Sequence, residues 1–316
     1  MRVLISGGNG YVGRELATLL APGHEVCVLD NLRYGRVRFT EHDLKRLRFE
    51  VADITDRTAV DRVVKSFRPE VVVHLAAIHY IPECEADPAG AIATNVVGTT
   101  NLLLATEPGC RFVFASSGAV YAPAAEPHAE SSELKPSDIY GFTKLQAEDY
   151  VRHIARDRRL EAVVVRLFNV IGPGETNPHL VPEIVAQLKC GRATIKLGNI
   201  WPKRDYVHVA DAARGFAATA LSSAVSPGET VIVNLGTSRS YSVASVLRKL
   251  RRIAGVHFVL ERDESRVRPV DRPFLAADNS LIRRLFGWSP NHTIEDALAD
   301  LWSNPDLSDA LLARYR

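Results

Sequence analysis

The chain has 316 residues, a balanced charge and the composition of an ordinary globular protein. At roughly 150 residues per domain, this length predicts about two domains. Hydrophobic residues at 46% and charged residues at 24% exclude a disordered, collagen-like or membrane protein. The 39 Lys and Arg residues against 37 Asp and Glu leave a net charge of +2, too small for a dedicated nucleic-acid-binding protein. We therefore expect neither nucleic acid nor membrane as a partner.

Cysteine usage and the N-terminus predict the compartment. Cys27, Cys84, Cys110 and Cys190 are widely spaced and form no C-x-x-C pair, which is typical of thiols in a reducing environment. No apolar signal region precedes the first glycines, and no run approaches the roughly 18 apolar residues of a membrane-spanning helix. The histidines have no metal-ligand spacing, so no metal is expected. These patterns predict a cytoplasmic protein.

The first half of the chain alternates apolar runs with helical patterns. The predicted strands are almost continuously apolar, as buried parallel strands are: Arg2–Ser6, Glu25–Leu29, Val71–Leu75, Arg111–Ala115 and Ala162–Leu167. The predicted helices between them are Tyr11–Leu20, Thr58–Phe67, Ala89–Ala105 and Ser137–Arg158. This alternation predicts βαβ units and therefore an α/β fold with a doubly wound parallel sheet, assigned to residues 1–172.

After Gly172 the pattern loosens. Predicted strands at Ala193–Leu197, Thr230–Leu235 and Val256–Leu260 mix with predicted helices at Leu180–Lys189, Val209–Ala220, Ser242–Ile253, Asn279–Phe286 and Ile294–Ser303. The mixture indicates a smaller, mixed α/β substrate domain over residues 173–316, with some segments returning to the first domain. Upstream, three prolines in Ala122–Pro136 predict a mobile surface loop.

A glycine pattern follows the first predicted strand and opens the first helix. Gly7, Gly10 and Gly13 have the G-x-x-G-x-x-G spacing, which lets backbone amides approach a pyrophosphate at the positive end of a helix. Asp30 closes the second strand, where an acid holds the adenosine ribose hydroxyls and repels a 2′-phosphate. The pattern therefore favours NAD. Arg33, Arg36 and Arg38 leave NADP open, although a solvated loop is the simpler interpretation of these arginines.

The candidate catalytic residues are a phenol, an amine and a hydroxyl. Tyr140 and Lys144 lie four residues apart on one predicted helix and so face the same way. A free phenol ionises near pH ~10, but a neighbouring ammonium favours the phenolate, which can then act as a base. Ser117 follows a strand at its carboxyl end, where open α/β sheets bind their ligands.

Taken together, these motifs resemble the extended short-chain dehydrogenase/reductase family and, within it, the nucleotide-sugar epimerase/dehydratase group. The resemblance covers nearly the whole chain in order. It is carried by Gly7–Gly13, Asp30, Asp53–Ile54, His74–Ala77, Asn95, Ser116–Tyr121, Tyr140–Lys144, Arg166–Pro173, Arg204–Asp211 and Arg268–Asp271. It implies a Rossmann-type sheet, NAD as cofactor, a nucleotide-sugar substrate, and a homodimer formed through the helices Ala89–Ala105 and Ser137–Arg158.

The resemblance also implies roles for individual residues. The implied catalytic residues are Ser117, Tyr140 and Lys144. The implied cofactor contacts are Gly7, Gly10, Tyr11, Val12, Gly13, Asp30, Asn31, Asp53, Ile54, Leu75, Ala76, Ala77, Asn95, Tyr140 and Lys144. The implied substrate contacts are His79, Ser117, Tyr140, Asn169, His179, Leu180, Arg204, Arg268, Asp271 and Leu275. Among these, the arginines suit a diphosphate because their planar forks match its oxygens. Relatives often have lysine at the position of His79, and Leu275 lies near the family's size-gating position.

The reaction is predicted from the two residues that follow Ser117. Dehydratases and decarboxylases of this group place acids there, whereas this chain has Gly118 and Ala119, and Glu126 and Glu130 lie too far along the loop to replace them. We therefore expect a 4-epimerase, with a UDP-sugar as the favoured substrate, acting through a transient 4-keto sugar and recycled NADH. The enzymatic alternatives are a 4,6-dehydratase, a decarboxylase or a 4-ketoreductase. An NAD(P)-sensing regulator or a binding scaffold would not need Tyr140, Lys144 and Ser117.

Overall fold

The computed structural model of the chain describes residues 1–175, 177–264, 267, 272–307 and 309–315. The strands, in chain order, are β1 (Arg2–Ser6), β2 (Glu25–Asp30), β3 (Leu47–Val51), β4 (Val71–His74), β5 (Arg111–Ser117), β6 (Glu161–Leu167), β7 (Asn169–Ile171), β8 (Thr194–Leu197), β9 (Lys203–His208), β10 (Thr230–Leu235), β11 (Ser240–Ser242), β12 (Val259–Arg262) and β13 (Phe274–Leu275).

The α-helices are α1 (Tyr11–Leu20), α2 (Glu41–Leu44), α3 (Arg57–Phe67), α4 (Ile81–Ala86), α5 (Pro88–Ile92), α6 (Thr99–Ala105), α7 (Ile139–Asp157), α8 (Leu180–Lys189), α9 (Val209–Leu221), α10 (Val243–Ala254), α11 (Ser280–Phe286), α12 (Ile294–Ser303) and α13 (Asp309–Ala313). A π-helical segment, Ala93–Gly98, joins α5 to α6, and a 3₁₀ turn, Gly118–Val120, follows β5. Within the described residues, no helix is both long and apolar enough to cross a bilayer.

A seven-stranded parallel sheet forms the centre of the molecule, in the order β10-β6-β5-β4-β1-β2-β3. Its inner strands are apolar at almost every position because helices cover both faces. One core packs α1 and α9 against the sheet, and the other packs α3, α6 and α7 against the opposite face. The predicted α/β class and doubly wound, Rossmann-type sheet are confirmed.

The residues after Gly172 build a second, smaller core around β9. In that sheet β9 pairs with β7 and β13 in parallel and with β11 in an antiparallel arrangement. Helices α8, α10 and α12 supply most of the apolar side chains of this core. Two later elements return to the first part, because β10 pairs with β6 and α9 packs on α1. The division at residue 172 stays a prediction.

Several elements differ from the sequence-based expectations. β3 was not predicted, because its exposed positions interrupt the apolar run. The expected helix Ala89–Ala105 is interrupted by the π-helical segment, in which the amide of Asn95 bonds both the N–H and the C=O of Ile78. The surface-loop expectation for Ala122–Pro136 is wrong at His128, which is 1% exposed and stacks on Tyr121.

Candidate active site

A cleft of about 1010 Å³ opens at the carboxyl ends of the central strands, between the sheet and the smaller part. Open α/β sheets bind their ligands at this edge. The cleft collects most of the predicted contacts although they come from distant parts of the sequence. The predicted residues that line it are Gly7, Gly10, Tyr11, Val12, Gly13, Asp30, Asn31, Ile54, Leu75, Ala76, Ala77, His79, Ser117, Tyr140, Lys144, Asn169, His179, Leu180, Arg204 and Leu275.

The glycine loop forms one end of this cleft and depends on two glycines for its shape. Gly7 has φ +70°, and a Cβ there would lie 2.5 Å from the backbone nitrogen of Ala76. A Cβ on Gly13 would lie 2.4 Å from the carbonyl oxygen of Gly7, so only glycine lets α1 start this close to the loop. The result is a bare helix N-terminus that faces the cleft, which is a suitable anion site.

The hydroxyl of Tyr11, in the first turn of α1, indicates that the cleft binds a polar ligand. It lines the cleft, and its hydroxyl is buried with no hydrogen-bond partner among the residues that the structure describes. A buried hydroxyl without a partner is costly, and a bound polar group would satisfy it. The loop and this hydroxyl therefore fit a dinucleotide pyrophosphate.

The acidic end of β2 forms the adenosine end of the cleft. The Asp30 carboxylate accepts hydrogen bonds from the backbone N–H groups of Asn9 (3.1 Å) and Leu32 (2.9 Å), which fixes it on the cleft wall. Asp53 lies just behind the wall and accepts 2.8 Å bonds from the Asn31 amide and the Thr55 N–H. Burial opposes ionisation of Asp53, but these bonds outweigh it and lower its pKa. Burial raises the pKa of Asp30, and its two backbone bonds oppose that rise. Of these two acids, Asp30 is the one on the wall itself.

Asn95, an expected cofactor contact, lies outside the cleft lining. It is fully buried, and its amide also donates to the Thr143 hydroxyl at 3.0 Å. Its bonds to Ile78, described above, fix the segment that follows β4. The amide therefore positions the cleft wall, and its expected cofactor contact stays a prediction.

The three candidate catalytic side chains meet where β5 ends and α7 begins. Asp138 caps α7 by accepting from the Gly141 N–H at 2.8 Å, and this places Tyr140 and Lys144 in the first two turns, facing the sheet. The Ser117 hydroxyl accepts from the Ala119 N–H at 3.1 Å and lies near enough to the Tyr140 phenol to lower its pKa. Lys144 Nζ donates to the carbonyl oxygen of Ala115 at 2.8 Å and lies 5.9 Å from the centre of the Tyr140 ring. The arrangement suits proton transfer to and from a substrate hydroxyl.

Burial controls the protonation of this group. Burial raises the pKa of Tyr140, and the nearby Ser117 hydroxyl only partly offsets the rise. Burial also lowers the pKa of Lys144 to about 7, against the favourable fields of Cys84 and Glu148. The protein alone therefore keeps the phenol protonated at neutral pH, and a positive charge placed beside it would favour the phenolate.

A buried ion pair supports the catalytic group from behind. Arg166 donates to both carboxylate oxygens of Glu148, at 2.9 and 2.7 Å, and the two side chains are 1% and 0% exposed. Ser116 donates to the same carboxylate, and Arg166 also bonds Tyr121 and the carbonyl of Glu130, each at 3.0 Å. The network fixes the end of β5 against α7 and β6.

The substrate end of the cleft carries aromatic, amide and cationic groups. His79, His179 and Tyr80 form an aromatic cluster, with the two histidine ring centres 5.5 Å apart. His79, Glu175 and His179 also bring their nitrogen and carboxylate oxygen atoms within 4.8 Å of one another. Arg204 on β9 donates to the Arg272 carbonyl at 2.7 Å. The predicted contacts Arg268 and Asp271 lie outside the described residues.

Sequence reasoning missed two groups around the cleft. Arg272 lines it and donates to the Ala119 carbonyl at 2.7 Å and to Ser137 at 3.1 Å; its position beside the Arg268–Asp271 motif was the available signal. Glu148 continues the four-residue spacing of Tyr140 and Lys144 along α7, so the same periodicity predicts its direction.

The acids near the catalytic group are committed elsewhere. Gly118 and Ala119 line the cleft directly after Ser117 and carry no titratable group. Asp138 lines it too, but it caps α7 and pairs with Arg272 at 3.6 Å. Glu130 lies outside the cleft lining, and its carboxylate accepts from the Asn234 N–H at 2.8 Å. Among the described residues, no acid takes the place expected of a dehydratase.

The chain is an extended short-chain dehydrogenase/reductase. The features that define this class are the Rossmann-type sheet, the glycine loop, the acid at the end of β2 and the Ser–Tyr–Lys group. Residues 3–236 match the sequence profile of the NAD dependent epimerase/dehydratase family. The chain belongs to this family.

Several known proteins of similar sequence and structure are UDP-glucose 4-epimerases. The UDP-glucose 4-epimerase of Bacillus subtilis is 33% identical, with 96% of both chains covered. The crystal structure of UDP-glucose 4-epimerase from Stenotrophomonas maltophila, with bound NAD and formylated UDP-arabinopyranose, is 26% identical with a TM-score of 0.86 and covers 96% of this chain and 97% of that one. The Thermotoga maritima enzyme with UDP-glucose is 27% identical with a TM-score of 0.84 and coverage of 96% and 98%.

Proposed function

We propose that the protein is an NAD-dependent nucleotide-sugar 4-epimerase with a UDP-sugar as substrate. The observation that carries the proposal is the Ser117–Tyr140–Lys144 group beside Gly118 and Ala119, because it provides a base for a sugar hydroxyl and no acid to expel water. The names of the relatives support this reaction class, and the UDP-sugars bound in the two solved structures support the substrate class.

NAD fits one half of the cleft. The glycine loop and the Tyr11 hydroxyl suit its pyrophosphate, and Asp30 suits the hydroxyls of its adenosine ribose. Lys144, at the nicotinamide end, suits the second ribose. When bound, NAD supplies the hydride acceptor and donor for C4 of the sugar and a positive charge close to Tyr140.

Residues of this chain accept and return the proton of the C4 hydroxyl. Ser117 and Tyr140 both line the cleft and lie near each other, so a C4 hydroxyl that binds between them can pass its proton to the phenolate oxygen. Loss of that proton together with the C4 hydrogen leaves a 4-keto sugar. Tyr140 returns the same proton to the carbonyl oxygen after the sugar has turned to present its other face, so the reaction needs no net proton.

The other half of the cleft suits the nucleotide diphosphate. Arg204 lies on β9 and lines the cleft from the smaller part. Gly118 and Ala119 line the cleft beside Ser117 without a bulky side chain, and Phe168 crowds the position that a Cβ on Gly118 would take. The space for the sugar is therefore the cleft itself. A diphosphate held at Arg204 allows the sugar to turn about its phosphate linkage within this space.

The decisive experiment uses the purified protein with UDP-glucose, UDP-glucuronate and their N-acetyl relatives, each followed by NMR. We expect one of them to reach an equilibrium mixture with its C4 epimer without added NADH. Loss of water or of carbon dioxide would establish the dehydratase or decarboxylase instead. Stoichiometric consumption of NAD(P)H would establish a ketoreductase, and no turnover of any sugar would leave the proposed activity without support.

The proposal includes a homodimer. Exposed apolar side chains lie on the helical row α5–α6 and on α7, two elements that pack against each other: Ile92 (44% exposed), Val97 (47%), Leu104 (37%), Phe142 (55%) and Tyr150 (40%). Exposed apolar side chains gathered on neighbouring helices favour self-association. A two-fold axis would bring the two helical rows of each copy together and bury these side chains in one four-helix interface.

The double variant Val97→Glu/Phe142→Glu is expected to be monomeric, because it places four charges in the proposed interface of two chains. Sedimentation velocity measures the change. Leu19→Glu on α1, where the leucine is 46% exposed on the other face of the sheet, is the matched control and is expected to remain dimeric. A dimer that persists in the double variant would exclude these helices as the interface.

We also propose a cytoplasmic location. All four cysteines are described, and each is a free thiol, three of them buried. Free thiols in a chain of this size are typical of a reducing compartment.

A further inference from the structure

Glu83 lies on α4, outside the cofactor contacts named above, but it faces the loop that follows β2. One of its carboxylate oxygens accepts two bonds from the Arg33 guanidinium, from Nη2 at 2.8 Å and from Nε at 3.2 Å. The other oxygen accepts from the Tyr34 hydroxyl at 2.9 Å. Both carboxylate oxygens are therefore engaged by the loop.

Arg33 stands where a dinucleotide-binding protein can read a 2′-phosphate. It lies three residues after Asp30, on the same loop, and lines the cleft with Tyr34. Its backbone is fixed as well, since the Arg33 N–H donates to the Asn31 side-chain oxygen at 3.0 Å. An arginine at this end of β2 is the group that accommodates the 2′-phosphate in NADP-binding proteins.

The neighbouring arginine Arg38 is directed elsewhere. Its guanidinium pairs with Asp306 and donates to the Gly174 carbonyl at 3.1 Å. Arg36 is exposed on the loop and does not line the cleft. Of the three arginines, Arg33 is therefore the one whose direction decides whether this end of the cleft offers a cation.

We propose that Glu83 is a cofactor-specificity determinant: it engages Arg33 and so denies NADP the cation that its 2′-phosphate needs. Glu83 is a positioning residue, because it acts through the direction of the Arg33 side chain. NAD has hydroxyls at this end and is held by Asp30, so it needs no such cation. Two effects therefore disfavour NADP. Asp30 repels the 2′-phosphate, and Glu83 withholds the Arg33 guanidinium that would otherwise attract it.

The inference rests on the proposed NAD cofactor, and its test is a binding measurement. The purified protein, stripped of nucleotide, is titrated with NAD and separately with NADP by calorimetry. In Glu83→Gln we expect the ratio of the NADP Kd to the NAD Kd to fall roughly tenfold, because the released guanidinium can form charge-assisted bonds to the phosphate. NAD affinity itself is expected to stay close to that of the parent.

Two further variants separate this effect from a structural one. In Glu83→Gln/Arg33→Gln the ratio is expected to return to the parent value, since the responsible cation is gone. Glu50→Gln removes a carboxylate of similar exposure, 28% against 25% for Glu83, that pairs at the same 2.8 Å with Arg48. Unlike Arg33, Arg48 lies outside the cleft lining, so this control is expected to leave the ratio unchanged.

The outcomes distinguish the two levels of the proposal. A parent protein that binds neither dinucleotide would overturn the proposed function and this inference with it. A parent that binds NAD, with an unchanged ratio in Glu83→Gln, would overturn the role of Glu83 alone. A ratio that falls in Glu83→Gln and stays low in the double variant would show that Arg33 is not the cation involved.

Discussion

Replacing Tyr140 with phenylalanine is expected to lower kcat for 4-epimerisation roughly 10²–10⁴-fold, the usual contribution of a positioned acid–base group. The ring fills the same space in the variant, and only the hydroxyl that takes the C4 proton is lost. KM and the NAD content of the purified protein are expected to change little. Steady-state kinetics by NMR and release of nucleotide on denaturation measure these quantities.

Tyr150→Phe is the matched control for this experiment. It makes the same change on the same helix, at a tyrosine that is 40% exposed on the outer face of α7, and is expected to retain parent activity. Parent-like kcat in Tyr140→Phe would exclude the phenol as the base. A loss of bound NAD in step with the loss of activity would indicate a role in cofactor binding instead.

Replacing Arg166 with methionine is expected to destabilise the folded protein by about 3–5 kcal/mol, because it leaves the Glu148 carboxylate buried without its cation. The free energy of unfolding in urea measures the loss. The double variant Arg166→Met/Glu148→Met is expected to cost less than Arg166→Met alone, since it removes the unpaired charge together with its partner.

Arg152→Met supplies the comparison on the surface. Arg152 pairs with Asp149 on α7, but their side chains are 44% and 64% exposed, so water solvates the remaining carboxylate. The loss of unfolding free energy in Arg152→Met is expected to stay within about 0.5 kcal/mol. If Arg166→Met were equally mild, or if the double variant were the less stable of the two, the buried pair would not hold the end of β5 as described.

The catalytic group could be predicted because its pattern is local. Tyr140 and Lys144 share one helix face by spacing alone, and Ser117 closes a strand that is apolar enough to be recognised. The glycine loop and Asp30 were predicted from strand ends in the same way, and the structure places all of them in one cleft. Short-range patterns therefore predicted the α/β class, the glycine loop, Asp30 and the candidate catalytic residues, whereas the other contacts were implied by the family resemblance.

Contacts between distant segments could not be predicted. Glu83 meets Arg33 across 50 positions, and no local pattern pairs these two among the many charged residues of the chain. β3 is half exposed, so its apolar run is broken, and the π-helical turn contains Asn95, whose amide bonds the distant Ile78. Tertiary pairing decided each of these features.

The central sheet cannot be completed during synthesis until the edge strand β10 has been translated. Its partner β6 ends at Leu167, yet β10 is completed only at Leu235, after much of the smaller part has been translated. Until then β6 presents an open row of backbone N–H and C=O groups, and the Tyr121 hydroxyl lacks its 2.6 Å bond to Asn234. While the ribosome adds the intervening residues, the nascent chain therefore has an unpaired strand edge that is prone to aggregate. A chaperone would protect the chain during this interval.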